Sequence, residues 1–190
     1  MWTKPHKGLF RSDNFMIAQK RTKSILLVNQ KDQAIGYGEK LAVHLLGRRH
    51  RAFSIFIFNS CGELLIQKRA REKYHSGGLW SNSACGHFSR PLISTRSVRR
   101  RLKEETGLSV PLQEVFSFAY RARLANNLIE NEIDHVFVGR SDLKPNLNRE
   151  EAVAYKYIGL EKLKKDLARH PERYSAWLKL IMDKYFRKLA

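Results

Sequence analysis

Residues 100–108 read Arg100-Arg101-Leu102-Lys103-Glu104-Glu105-Thr106-Gly107-Leu108. The stretch closes a helix predicted from Ser97 to Thr106. Val98 and Leu102 fall on one face, and Gly107 can take the left-handed conformation that ends a helix. Its adjacent carboxylates, Glu104 and Glu105, can hold Mg²⁺, which in turn binds phosphate oxygens. The plain alternative is a solvated face with an Arg100–Glu104 pair at i, i+4, worth about 0.3 kcal/mol.

Just upstream, Trp80-Ser81-Asn82-Ser83-Ala84-Cys85-Gly86-His87 sets a thiol and an imidazole two residues apart. The chain has one other cysteine, Cys61, so no second pair completes a structural zinc site. Cys85 is open to three functional roles and a bland one. Beside His87 it can be a zinc ligand or an activated nucleophile. Paired with a carboxylate across a substrate it can transfer protons. The bland role is a buried, inert thiol.

Further out, strands dominate the middle of the chain. Ile25–Val28 is a short apolar run, residues 30–33 a turn, and 34–38 a returning strand. Ala52–Phe58 is dense in β-branched and aromatic residues. A break at 59–63, which holds Cys61, leads into 64–67, so the two form a hairpin. Val115–Arg121 and Ile133–Gly139 read as strands, and 160–168 and 176–189 as helices around Pro171. Strands followed by helices, with no repeat and no linker, predict a single α+β domain over 24–190.

Metal ligation is the second chemistry on offer. His44, His50 and His87 supply imidazoles, while Glu130 and Glu132 supply carboxylates. Strand residues two apart point the same way, so Glu130 and Glu132 can share a centre. Such a mixed nitrogen and oxygen set suits Mn²⁺, Zn²⁺ or Fe²⁺ rather than Ca²⁺. The competing reading leaves His44 and His50 as surface histidines flanking a basic loop.

At 190 residues the chain can bury one substantial core. No run approaches the ~18 apolar residues of a membrane span. The amino-terminal stretch lacks a secretory signal's apolar centre, and two cysteines form no disulfide framework, so a cytoplasmic protein is expected. Residues 1–23 are basic and poor in acids, and read as a mobile arm, with a transit peptide as the alternative. The formal charge of +18 implies an anionic partner: nucleic acid, an acidic membrane face or a phosphorylated substrate.

The fragments KLAVH, HRAFS, GLWSNSACGH, RRLKEETGL, YRARLANNLIENE and SAW together resemble the type I isopentenyl-diphosphate isomerases, a branch of the Nudix fold. RRLKEETGL alone marks only the Nudix fold; GLWSNSACGH joined to ENE marks the branch. The resemblance implies a mixed β-sheet core with flanking helices. It also implies interconversion of isopentenyl and dimethylallyl diphosphate by protonating one face of a double bond and deprotonating the other.

Residue by residue, the resemblance puts the active cysteine on Cys85 and its paired glutamate on Glu132. Tyr120 and Trp177 match the family's tyrosine and pocket tryptophan. The five-ligand site for Mn²⁺ or Zn²⁺ falls on His44, His50, His87, Glu130 and Glu132, and a substrate-bound Mg²⁺ on Glu105. Lys40, Arg69 and Lys73 match basic residues that approach the diphosphate. The implied enzyme is a monomer or weak dimer with a small diphosphate substrate and no nucleic-acid partner.

This sequence also departs from the family. Leu92 stands where the Nudix box has a glutamate, and Arg101 where a glutamate follows Arg100. Pro91-Leu92 replaces a frequent Gly-Glu pair, and the interval from His44 to His50 is short. The charge and the arm are not explained by the reaction. The alternatives are a Nudix hydrolase of a nucleoside or other diphosphate, and a non-catalytic RNA-binding module using the arm with Arg96, Arg99, Arg100, Arg101 and Lys103.

Overall fold

The computed structural model describes residues 24–189; the predicted arm at 1–23 lies outside them. The chain runs β1 (Ser24–Val28), β2 (Ala34–Glu39), α1 (Lys40–Leu46), β3 (His50–Phe58), β4 (Leu64–Arg69), β5 (Trp80–Ser81) and β6 (Ala84–His87). It continues through α2 (Thr95–Thr106), β7 (Gln113–Arg123), β8 (Ile129–Arg140), β9 (Ala152–Ile158), α3 (Leu160–Arg169) and α4 (Ala176–Lys184).

The nine strands form one mixed sheet around β3. Along one edge β3 pairs in parallel with β8, from His50↔Glu132 to Phe58↔Arg140. It also pairs antiparallel with β1 at His50, β6 at 52–55 and β4 at Phe58. β7 extends the sheet beyond β8, and β9 extends it beyond β4.

Every residue of β3 is buried, because both sheet faces are covered. Phe56 and Phe58 pack with α3 and α4 residues such as Leu163, Leu178 and Ile181. Phe53, Ile55 and Ile57 join Val98 and Leu102 of α2 on the other side. The predicted α2 face is therefore the one that docks, and Gly107 ends the helix at φ 73°.

The predicted turns hold. Asn29 Oδ1 accepts the backbone N–H of Lys31 and Gln33 and so folds the β1–β2 reversal. Asn59 Oδ1 accepts the Glu63 N–H in the β3–β4 turn, where Cys61 lies exposed.

Five elements depart from the sequence reading. α1 was not foreseen, because only Val43 and His44 of its seven residues are buried and no apolar stripe marks it. β6 is four residues long, and β9 shows no alternation of exposure. β8 begins at Ile129 rather than Ile133, since its buried glutamates disguise an inward-facing strand. α4 stops at Lys184 rather than Leu189: Tyr185 leaves helical backbone, and a 3₁₀ turn follows at Phe186–Lys188.

Candidate active site

Three elements beside β8 deliver the imidazoles. Glu39 caps α1 by accepting the Ala42 N–H at 2.8 Å, which seats His44 in the middle of the helix. Gly47, at φ 60°, reverses the chain, and His50 opens β3 directly opposite Glu132. His87 closes β6, paired with Ala52. Glu130 and Glu132, two apart on β8, point to one side as the alternation requires. One ligand atom from each of these five residues lies within 4.8 Å of every other. His44 and His50 are fully buried, which excludes the surface-histidine reading.

The orientation of the rings is fixed from behind. His44 Nδ1 lies 2.6 Å from the Lys40 carbonyl oxygen, and His50 Nδ1 lies 2.9 Å from that of Arg48. A carbonyl only accepts, so both Nδ1 atoms carry the hydrogen and both Nε2 atoms face inward. There, His44 Nε2 is 3.2 Å from Glu130 Oε2, and His50 Nε2 is 3.2 Å from Glu132 Oε1. His87 Nε2 is 3.0 Å from the same Glu132 oxygen. Lone pairs thus converge on carboxylate oxygens, and Glu130 Oε2 is buried without a donor. A proton or a metal cation can satisfy such a cluster, and the carbonyl-anchored imidazoles are the usual arrangement behind a metal.

The charges follow from this crowding. Burial works to raise Glu130, but the facing imidazoles of His44 and His50, 3.2 and 3.5 Å from its Oε2, hold it well below the usual carboxylate range. Burial, helped by the charge of Glu130, pushes Glu132 up to about 7. Burial alone would lower His50, yet its two carboxylate partners carry it to about 10.

Of the other expected residues, Lys40, Arg69, Lys73, Cys85, Tyr120 and Trp177 line one cavity of about 1520 Å³, which His87, Glu130 and Glu132 of the cluster also face; Glu105 lies buried outside its lining. Tyr120, opposite Glu132 in the β7–β8 ladder, donates its hydroxyl to Glu132 Oε2 at 2.7 Å. Cys85 sits on β6 opposite Ser54, so β3 separates it from Glu132 on β8. Burial pushes the thiol up to about 12, and Arg69 Nη1 lies 3.8 Å from its sulfur. Trp177 is anchored by a bond from Nε1 to Asn82 Oδ1 at 2.8 Å, with the Arg69 guanidinium 5.3 Å from its ring. Lys40 Nζ stands 4.8 Å over the Tyr74 ring.

Two expected residues are already engaged. Lys73 Nζ pairs with Glu151 at 2.5 Å. Glu105 is buried, bonded to Gln67 at 2.5 Å and to Arg101 at 2.7 Å, and it accepts the Cys85 N–H at 3.3 Å. Glu104 points outward to Arg100 and Arg101. The sequence reading therefore missed Arg101, Gln67 and Glu151 as partners of Glu105 and Lys73. It also missed Tyr74 and His75, which flank the histidine cluster. Their only signal was position, directly after Lys73 in a basic loop.

A family model of the NUDIX domain matches residues 48–178. Among curated proteins, isopentenyl-diphosphate Delta-isomerase 1 of Aromatoleum aromaticum is 48% identical, covering 84% of this chain and 90% of its own. The isopentenyl-diphosphate Delta-isomerase of Serratia proteamaculans is 46% identical over 83% of this chain and 88% of its own. A solved structure from Deinococcus radiodurans superposes with a TM-score of 0.72 at 20% identity, covering 87% of this chain and 100% of that one. At that identity the likeness concerns the fold alone.

Proposed function

Given that this chain belongs to the NUDIX family, with isopentenyl-diphosphate Delta-isomerases as its curated relatives, we propose how its own residues carry the reaction. The enzyme interconverts isopentenyl and dimethylallyl diphosphate, a step of isoprenoid biosynthesis. The conversion is redox-neutral. The terminal alkene carbon gains a proton, the central carbon becomes a tertiary cation, and the carbon next to the diphosphate-bearing one is left to lose a proton.

Cys85 and Glu132 are the proton-transfer pair, reached from strands on either side of β3. Glu132, near 7, can hold or release a proton close to neutrality. Tyr120 holds the outer oxygen of Glu132 and so fixes the direction of transfer. Cys85 enters as a neutral thiol, and Arg69 stands where a thiolate would need a counter-charge. The Trp177 ring faces the developing carbocation, an interaction worth about 2 kcal/mol when desolvated.

His44, His50, His87, Glu130 and Glu132 would hold Mn²⁺ or Zn²⁺, whose charge supports a carboxylate that must shuttle protons. Glu105, which accepts the Cys85 N–H, would hold Mg²⁺ for the diphosphate, while Lys40, Arg69 and Lys73 face the cavity and Lys73 exchanges Glu151 for phosphate. A cytoplasmic location, in keeping with the free thiols of Cys61 and Cys85, and a monomer or weak dimer complete the reading.

The observation that carries this assignment is the meeting of Cys85 and the Tyr120–Glu132 pair in one cavity with His87 and Glu130, the open side of the five-residue cluster. The test is turnover of folded Cys85→Ala and Glu132→Gln. Each is expected to lose at least about 10²–10⁴-fold in kcat, the usual worth of a positioned acid or base. Near-normal turnover by Cys85→Ala would remove the thiol from the chemistry.

A further inference from the structure

The geometry points to His75 as a positioning residue that ties the ion-binding carboxylate of Glu130 to the indole wall formed by Trp177. The inference rests on the proposed metal centre. His75 is buried in the loop after β4, and its Nε2 lies 3.3 Å from Glu130 Oε1. The other oxygen, Glu130 Oε2, faces His44 and His50. A hydrogen bond formed across the His75–Oε1 approach would engage Oε1 and leave Oε2 as the oxygen aimed at the cluster.

The ring of His75 also stacks on His44, with centroids 5.8 Å apart, and meets the Trp177 ring edge-on at 6.0 Å and 87°. No other imidazole described has Glu130 on one side and Trp177 on the other among its contacts. The loop is built to hold this pose. Ser76 takes a positive φ of 52° and sets its Oγ 3.4 Å from His75 Nδ1; the tautomer with the ring hydrogen on Nε2 is the one in which that hydroxyl donates. A Cβ on Gly77 would come within 2.4 Å of the Arg71 carbonyl oxygen, so the turn closes tightly there. Arg69 Nη2 adds a bond to the His75 carbonyl at 3.4 Å, joining the loop to the cation beside Cys85. Partners behind metal ligands typically tune affinity by about 10–100-fold.

The test compares His75→Phe, His75→Gln and His75→Ala in the full chain, with Mn²⁺ and Zn²⁺ affinity measured by competition against a chromophoric chelator, alongside kcat and KM. His75→Phe keeps a ring against Trp177 but has no donor, and should bind the ion about 10–100-fold more weakly. His75→Gln can still donate to Glu130 and should bind near the unmodified level, with kcat reduced and KM for the diphosphate unchanged. Should His75→Phe not fold, the contrast between His75→Gln and His75→Ala serves in its place. Equal ion affinity in the donor and donor-free variants would overturn the role at Glu130. Unchanged kcat in His75→Gln would overturn the link to Trp177. An unmodified protein that binds neither ion would instead defeat the proposed metal centre itself.

Discussion

Cys85 and Cys61 test the residue scale most simply. Cys61 is exposed in a turn, whereas burial pushes the Cys85 thiol up to about 12. The thiolate is the reactive form, so iodoacetamide at neutral pH should label Cys61 first and Cys85 slowly, as read by peptide mass mapping. Rapid labelling of Cys85 at pH 7 would mean an ionised sulfur and a different starting state. Glu132 gives the second test. Its folded value is raised from 4.5 to about 7, so the native chain keeps a proton that the unfolded chain has lost. The stability contributed by this group is thus present below 4.5 and declines as pH rises towards 7. In chelator-treated protein, Glu132→Gln should flatten the fall in denaturant midpoint between pH 5 and 7; an unchanged slope contradicts the shift.

At this scale the five-residue set was readable because imidazoles and carboxylates two apart on a strand are chemically distinctive. What positions them was not. The carbonyls of Lys40 and Arg48 that orient the rings belong to the backbone, and no side-chain pattern announces them. Glu151 was equally hidden, since its partners Lys73 and Arg101 lie far off in sequence.

Among the elements, the long strand β3 was legible from its density of apolar and aromatic residues, and the helix α2 from its periodicity. The small pieces that carry ligands were harder: α1 and β6 are too short to show a period. Yet α1 is closely fitted. A Cβ on Gly38 would come within 2.4 Å of Val43 Cγ2, so β2 and α1 pack in contact at a residue without a side chain. Gly38→Val should cost about 1–3 kcal/mol by overpacking, measured by denaturation. It should also weaken transition-metal binding by displacing His44, the neighbour of Val43. A variant with normal stability would show that α1 yields easily and that its placement does not depend on this contact.

For the molecule as a whole, the five clustered residues come from α1, β3, β6 and β8, so an ion held by them would clasp elements far apart in sequence. Adding Mn²⁺ or Zn²⁺ to chelator-treated protein should raise Tm in a concentration-dependent way, by mass action on the folded state. A Tm indifferent to either ion would contradict the shared centre. The charge of +18 is accounted for only in part by Lys40, Arg69 and Lys73, which line the cavity with Cys85, because Arg96, Arg99 and Lys103 lie exposed along α2. Nothing in the structure assigns them a partner.

The most direct measurement of the account is incubation of the intact enzyme with isopentenyl diphosphate and divalent metal in deuterated water, followed by nuclear magnetic resonance. The account predicts the allylic isomer with deuterium in its new methyl group and no phosphate released. Liberated phosphate or pyrophosphate, with no isotope entering carbon, would contradict it.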